Sequence, residues 1–205
     1  MNIETVAQEL AELIKRTEAD YTEAHLEESQ TSHITYRGKE LESIGRATAI
    51  GGNVRALVKG GWGFVSFNNF AELSSRVEMA VKQARFVGSE LSQLAPAEPV
   101  VDFVSTEANR NPVTIPLERK KQMLDEYNEI IWRTPEIQTS TISYADGYKK
   151  TIFLCSLGSH IVHDRTDIAL RLAAVAARDG DVQQVGLSVG SRGDFSLIQG
   201  LKEQV

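Results

Sequence analysis

The sequence contains one cysteine and no long apolar run, and each shortage excludes a class of protein. Cys155 cannot form a disulfide within the chain, and its isolation fits a reducing compartment. No apolar stretch approaches the roughly 20 residues that a membrane-spanning helix requires. The N-terminal segment is acidic and amphipathic and lacks the basic start of a signal peptide. We therefore expect a cytoplasmic protein that does not associate with membranes.

Basic residues are also in deficit, because 22 Lys and Arg stand against 28 Asp and Glu and give a formal net charge of −6. A general nucleic-acid-binding protein needs a concentrated basic face. Direct binding to nucleic acid is therefore not expected. The 205 residues suffice for one good core or for two small ones of about 100 residues each.

Hydrophobic periodicity predicts a helix and then strands at the start of the chain. Apolar residues from Ile3 to Thr17 recur at the spacing of an amphipathic helix. Residues 20–50 alternate apolar and polar side chains as strands do, with a hairpin turn at Gly38-Lys39.

A glycine-rich segment at residues 51–69 is predicted to form a second hairpin. Gly51-Gly52 opens its first strand, and Gly60-Gly61 is a tight-turn signal because glycine reaches positive φ without a steric penalty. The segment ends at a pair of asparagines, after which a long amphipathic helix is expected.

The spacing of Asn69 and Glu72 is typical of a capping box and predicts the start of that helix. Four of the five prolines lie within residues 92–116, which indicates a linker. Pro116 suits the first turn of the helix that follows the linker.

The second half of the chain is predicted to be mainly strands. One hairpin is expected to turn at Asp146-Gly147. Residues 168–178 have high helix propensity, yet their apolar side chains also alternate as in a strand. Because Asp179-Gly180 can close this run as a hairpin turn, we predict a strand.

These elements predict an α+β fold with antiparallel β-sheets and packed amphipathic helices. Two helix-plus-strands units are joined by the proline-rich linker. We expect an N-terminal domain over residues 1–92, a linker over 93–115 and a second α+β segment over 116–205, which we expect to be incomplete at its C-terminus.

The glycine-rich hairpin carries the residues that we select for binding. Tryptophan and arginine are enriched at interface hot spots, and an exposed hairpin edge can pair with an extended peptide. The alternative is that Trp62 belongs to the core. The candidates to face a peptide or a partner are Arg55, Trp62, Phe64, Ser66 and Asn68.

The acidic residues and the glycine pairs do not indicate a catalytic or phosphate-binding site. Paired catalytic carboxylates need environments that separate their pKa values, and nothing in the sequence supplies them. The glycine pairs lack the Gly-Lys-Ser/Thr ending of a phosphate-binding loop. We expect a solvated sheet face for the acidic residues Glu23, Glu27, Glu28, Glu40 and Glu42.

Two histidines and the single cysteine lie close together in the sequence. His160 and His163, with Asp164, could suggest a metal site, but residues three apart on a strand point to opposite faces. Cys155 could act as a nucleophile with His160 as its base. Thiolate activation requires a positioned cation or base, and a buried cysteine is the preferred interpretation. We therefore assign no catalytic and no metal-binding residue.

Four segments resemble the N-terminal part of the TldD/PmbA family. The segment DYTEAHLEESQTSHITYRGKELESI is similar to the family's opening strands, and GGNVRALVKGGWGFVSFNN to its glycine-valine-arginine strand and glycine–aromatic turn. CSLGSHIVHDRTDIALRLAAVAARDGD resembles the family's Asn-Ser-x-Gly turn and long strand, and SVGSRGDF its Gly/Arg-rich loop. Cys155 stands where asparagine is commoner in the family.

The resemblance implies a dimeric zinc metallopeptidase system that trims or matures peptides, some of whose members were described as modulators of DNA gyrase. The family's H-E-x-x-x-H motif and its cysteine ligand lie in the C-terminal half, beyond the matched segments. This sequence contains no His-Glu pair. No metal ligand or catalytic residue is therefore carried over to it, and zinc is expected only in the C-terminal part of a full-length catalytic member.

We expect the N-terminal, non-catalytic region of a TldD/PmbA-like metallopeptidase, which is inactive alone and scaffolds the dimer and the peptide cavity. Its partner would be a second copy or a family paralogue, and its substrate a peptide. The alternative is a free-standing interaction or regulatory module without proteolytic activity.

Overall fold

The computed structural model describes residues 2–90, 92, 94–105 and 111–205. Seven strands and three α-helices make up the described part of the chain, with short 3₁₀ turns near residue 113 and at the C-terminal end. The helices are α1 (Ile3–Lys15), α2 (Leu73–Val87) and α3 (Leu117–Ile131); the strands are β1 (Tyr21–Arg37), β2 (Glu40–Val58), β3 (Gly61–Phe67), β4 (Val101–Ser105), β5 (Ile137–Cys155), β6 (His160–Arg178) and β7 (Asp181–Ser191).

The strands pair in the order β3-β2-β1-β5-β6-β4, and β7 also pairs with β6. The β2–β3 and β6–β7 pairs are antiparallel, whereas β4 pairs with β6 in parallel. The predicted α+β fold with antiparallel strands and packed helices is confirmed. Within the described ranges, no helix is long and apolar enough to cross a membrane.

The chain divides into two compact units, each built from three separate stretches. Unit 1 contains Met1–Ser29, Ala49–Ser105 and Lys149–Asp164, and unit 2 contains Gln30–Thr48, Thr106–Tyr148 and Arg165–Val205. The domains 1–92 and 116–205 and the linker 93–115 are single stretches, and they remain a prediction. Strand β4 lies inside the predicted linker.

In unit 1, α1 and α2 share a core with the strands. Helix α1 begins at the N-cap Asn2, whose side chain accepts a hydrogen bond from the Glu4 N–H at 3.0 Å. Apolar side chains at alternate strand positions complete this core: Ala24, Leu26, Val54, Ala56, Val65, Phe67, Ile152 and Leu154.

Glycines allow α2 to approach β3 closely. A Cβ on Gly63 would lie 1.9 Å from the Ala80 carbonyl oxygen, and one on Gly61 would lie 2.4 Å from the Ala84 carbonyl oxygen. The hairpin turn itself is formed by Lys59 and Gly60, which have φ values of 46° and 78°. The prediction of a turn at Gly60-Gly61 is therefore wrong by one residue, because Gly61 serves helix packing.

Two other predictions at this hairpin are wrong. Gly51-Gly52 does not open a strand but lies inside β2, where a Cβ on Gly52 would lie 2.7 Å from the His25 carbonyl oxygen. The capping box is absent, because the Asn69 side chain accepts from the Ala71 N–H at 3.3 Å and the N-cap Glu72 makes no side-chain cap.

In unit 2, α3 packs on the strands through Leu124, Tyr127 and Ile131, which are all buried. The strand interpretation of residues 168–178 is confirmed, and Asp179 and Gly180 form the turn into β7 with φ values of 51° and 87°. The strands contribute alternate residues to this second core: Ile34, Tyr36, Ile142, Tyr144, Ile168, Leu170 and Leu172.

The hairpin predicted at Asp146-Gly147 does not exist. Strand β5 runs through this dipeptide without a turn, and Asp146 is buried. The Asp-Gly signal is overridden because the carboxylate has internal partners, which are described below.

Candidate functional site

The sheet of unit 1 has one face covered by α1 and α2, and strand alternation places every second side chain on the opposite face. We call this opposite surface the open face. On β3 the alternation is complete, because Trp62, Phe64 and Ser66 are exposed while Val65 and Phe67 are buried. The open face carries Glu23, His25, Glu27, Asn53, Arg55, Trp62, Phe64, Ser66, Thr151 and Phe153.

Glu23 lies at the centre of a polar cluster on the open face. Its Oε1 accepts from Arg55 Nε at 2.7 Å and lies 2.5 Å from Arg55 Nη2. His25 Nε2 lies 3.3 Å from the same oxygen, and the Tyr21 hydroxyl donates to Oε2 at 2.7 Å. The four residues Tyr21, Glu23, His25 and Arg55 are the Glu23 cluster, in which a buried carboxylate is satisfied from several sides.

Burial raises the pKa of the Tyr21 hydroxyl, and the hydrogen bond to Glu23 raises it further. Tyr21 therefore stays protonated and acts as a donor to the carboxylate. The Glu23 side chain is 5% exposed, whereas those of Arg55 and His25 are 47% and 50% exposed. The cluster thus has a buried carboxylate and a buried tyrosine, whereas Arg55 and His25 face solvent.

Trp62 is held by this cluster. The Arg55 guanidinium carbon lies 5.0 Å from the centre of the Trp62 ring, a cation–π arrangement. Tyr21 meets the same ring edge-on, with ring centres 6.2 Å apart. Because Trp62 remains 42% exposed, the alternative that it belongs to the core is excluded.

The structure brings three of the predicted binding residues, Arg55, Trp62 and Phe64, together on the open face. Arg55 lies opposite Phe64 in the β2–β3 register, next to the pair of Leu57 and Trp62. Ser66 follows on the same face, and Asn68 is exposed just beyond the end of β3. Their role in binding stays a prediction.

Glu23 is the residue that sequence reasoning missed. The sequence pattern predicts a solvated acidic face for Glu23, but only 4% of the residue is exposed. That assignment is wrong for Glu23 because Arg55, from the neighbouring strand, lies over it. The alternation of Tyr21, Glu23 and His25 on β1 was the available signal, since it puts an acid between two groups that can donate to it.

A groove of about 570 Å³ lies on the open face and gives the Glu23 cluster a neighbouring concave surface. Its walls combine an aromatic ring with polar and charged groups from four strands. The lining residues include His25, Glu27, Asn53, Arg55, Phe64 and Thr151.

No group of three or more His, Cys, Asp or Glu side chains in the described part of the chain is placed to hold a metal ion. His160 and His163 both lie on β6, at positions that pair with Val101 and Val104 of β4. Cys155 is a half-buried free thiol at the end of β5.

Unit 2 contains a second carboxylate cluster, which is sealed from solvent. Lys120 Nζ lies 2.5 Å from Asp146 Oδ2, and their side chains are 0% and 1% exposed. Ser32 donates to the same oxygen at 2.6 Å, and the Tyr144 hydroxyl also donates to it. Burial lowers the pKa of Lys120, and the neighbouring carboxylate opposes that shift. We call Ser32, Lys120, Tyr144 and Asp146 the Asp146 cluster.

Comparison with other proteins identifies related sequences and folds. The patterns described as PmbA/TldA metallopeptidase domain 1 and PmbA/TldA metallopeptidase central domain match residues 23–85 and 110–204. A metalloprotease of Synechocystis sp. is 34% identical to the chain, covering 100% of this chain and 45% of its own length.

Solved structures show the same fold. TldE from Thermococcus kodakarensis has a TM-score of 0.77 at 12% identity and covers 97% of this chain and 46% of that chain. A Thermotoga maritima protein described as a modulator of a DNA gyrase has a TM-score of 0.73 at 16% identity, covering 94% and 44%. The chain thus spans less than half the length of these relatives. Since both domain patterns match in order and the sequence likeness extends along the whole chain, this protein belongs to the PmbA/TldD family of metallopeptidase-like proteins.

Proposed function

We propose that this chain is the N-terminal, non-catalytic region of a TldD/PmbA-like zinc metallopeptidase. In this role it helps to scaffold a dimer, with a second copy or a paralogue, and lines the cavity that receives a peptide. The observation that supports the peptide-facing role is the open face of unit 1, where exposed aromatic side chains lie beside the hydrogen-bonded Glu23 cluster.

The non-catalytic assignment is supported by the position of the family's motif. The resemblance puts H-E-x-x-x-H in the C-terminal half of the family's members, and this sequence has no His-Glu pair. Zinc and the peptide-cleaving step would then belong to that other half.

The peptide-facing assignment is supported by Trp62 and Phe64, which are 42% and 54% exposed on one strand. Arg55 is neutralised by Glu23 and stacked on Trp62, so its part is to position the ring. An aromatic side chain that is already held in place loses little conformational entropy when a peptide covers it, which favours binding. In this proposal Ser66 and Asn68 continue the contact surface beyond the rings.

The proposal is tested by zinc analysis and a peptidase assay on the 205-residue chain, with unfolded casein as substrate. We expect less than stoichiometric zinc and no cleavage. Cleavage that depends on stoichiometric bound zinc would overturn the non-catalytic assignment.

An interaction module without any proteolytic partner is the second candidate. This candidate is favoured by Phe86 on α2, which is 91% exposed. Exposed apolar side chains of this kind are typical of protein-binding surfaces. The gene sequence beyond the codon for Val205 separates the two functions. An H-E-x-x-x-H motif there supports the peptidase, and a stop codon supports the module.

A further inference from the structure

The backbone of β3 has one edge that faces away from β2. Gly61 pairs with Val58 across the hairpin turn. Gly61, Gly63 and Val65, at alternate positions of β3, therefore direct their backbone N–H and C=O groups toward β2. The N–H and C=O groups of Trp62, Phe64 and Ser66 therefore point outward. We call these outward groups the β3 edge, and among the described strands β3 is the last in the pairing order.

One group of the β3 edge is already occupied. The Phe64 N–H donates to the side-chain Oε1 of Gln83 at 3.1 Å, and both residues are exposed. Gln83 comes from α2, so it reaches across to the strand edge. A side-chain amide that covers a backbone donor occupies the place that the carbonyl of an added strand would take.

A groove of about 650 Å³ adjoins this edge between Trp62 and α2. Its apolar walls are the exposed side chains of Trp62, Met79, Phe86 and Val87. Lys82 and Arg85 are the basic residues of the lining, and Arg85 is paired with Glu18 at 3.2 Å. Among the residues that the structure describes, no carboxylate lines the groove. We call it the α2 groove.

We propose that the β3 edge binds an extended peptide by strand addition, with Gln83 as the latch that the peptide displaces. This inference rests on the proposed function, because it assigns a binding mode to the peptide-facing hairpin. A strand added to β3 places its side chains alternately on the two faces of the sheet. One set meets Trp62 and Phe64, and the other enters the α2 groove.

The charges define the class of peptide. Arg55 is neutralised by Glu23, so the open face favours apolar side chains. The α2 groove offers Lys82 beside apolar walls, whereas Arg85 is already paired with Glu18, so Lys82 favours carboxylates with apolar stems. The occupant is therefore an extended segment in which apolar and acidic residues alternate.

The experiment measures binding of acetyl-VEVEVEV-amide to the full chain by fluorescence anisotropy of a labelled peptide. The peptide acetyl-VKVKVKV-amide is the charge control, and we expect it to bind about tenfold more weakly. Equal affinity of the two peptides would overturn the assigned charge preference.

Backbone pairing is tested with two methylated peptides, one N-methylated on the valines and one on the glutamates. Alternate residues of an added strand direct their N–H groups to β3, so one methylated peptide should lose about tenfold or more in affinity while the other is little changed. Equal loss in both peptides would contradict strand addition.

The latch is tested with Gln83→Ala, which frees the Phe64 N–H. We expect the dissociation constant of the Val-Glu peptide to fall about fivefold, whereas Gln8→Ala, at an exposed position on α1, should leave it unchanged. An unchanged or weaker affinity of Gln83→Ala would overturn the latch. Failure of strand addition leaves the zinc and casein results unaffected, so it is distinguishable from failure of the proposed function.

Discussion

The two units use the same chemical groups in opposite ways. Each has a carboxylate that accepts from a cation and a tyrosine hydroxyl: Glu23 from Arg55 and Tyr21 in unit 1, and Asp146 from Lys120 and Tyr144 in unit 2. The cation in unit 1 is 47% exposed, whereas the one in unit 2 is 0% exposed.

This difference in exposure separates a surface role from an internal one. A buried ion pair loses hydration and stabilises the fold only while both partners are present. A half-exposed cation keeps water and can present another side chain, as Arg55 presents Trp62. The Asp146 cluster therefore fixes α3 against strands of unit 2, and the Glu23 cluster organises a binding surface.

The largest effect on stability is expected at the Asp146 cluster. Lys120→Met leaves the Asp146 carboxylate buried without its cation, and we expect a loss of about 3 kcal/mol in the free energy of unfolding. Urea denaturation measures it. Lys121→Met on the same helix is the matched control, because its pair with Asp125 is half-exposed and should contribute less than about 1 kcal/mol. Equal losses in the two variants would remove the distinction between sealed and open pairs.

The next effect concerns the close approach of α2 to the hairpin. Gly63→Ala would force Ala80 and the helix backbone away, and we expect a loss of about 2 kcal/mol in the free energy of unfolding. Gly190→Ala is the control in unit 2, since its Cβ would lie 3.5 Å from the nearest atom, the Ile168 carbonyl oxygen. Denaturation midpoints compare the two, and a tolerated Gly63→Ala would contradict the described contact.

A smaller loss of stability is expected at the Glu23 cluster. Glu23→Gln keeps the shape of the side chain but removes the charge that holds Arg55, and water can solvate the freed guanidinium. We expect a loss of about 1 kcal/mol in the free energy of unfolding. A loss as large as that of Lys120→Met would mean that the Glu23 cluster stabilises the fold as a buried ion pair does, and would contradict its assignment to a binding surface.

The smallest effect is a dependence on pH. Burial raises the pKa values of Tyr21, Tyr36, Tyr127 and Tyr144, so the folded protein keeps phenolic protons that the unfolded chain releases above about pH 10. Stability is therefore fully present below about pH 10 and falls above it, by up to about 1.4 kcal/mol per pH unit for each proton retained. Tyr144→Phe should reduce this slope, measured by urea denaturation at several alkaline pH values, and an unchanged slope would contradict the assignment.

Local patterns sufficed to predict much of the fold. The amphipathic helix at the start of the chain, the turn at Gly38-Lys39 and the strand over residues 168–178 all follow from periodicity and turn chemistry, and the structure confirms them. The family resemblance is confirmed for the same reason, since it rests on ordered local segments.

The predictions that were wrong concern residues whose contacts are made with residues distant in the sequence. Asp146-Gly147 has the composition of a hairpin turn, yet Lys120 and Ser32 retain the aspartate inside a straight strand. Gly61 resembles a turn residue, but the reason for it is the backbone of α2. Glu23 looked solvated because Arg55, its partner, lies on another strand. The contacts with Lys120, Ser32, α2 and Arg55 therefore cannot be recognised from the residues next to each of these positions.

The two tryptophans give the most direct test, because each unit contains one beneath a cation: Arg55 over Trp62 in unit 1 and Lys39 over Trp132 in unit 2. The measurement is the change in tryptophan fluorescence when acetyl-VEVEVEV-amide is added to Trp132→Phe and to Trp62→Phe. We predict a saturable change in Trp132→Phe, which retains Trp62, and no change in Trp62→Phe. A change confined to Trp62→Phe would place the peptide in unit 2 and contradict the role of the open face.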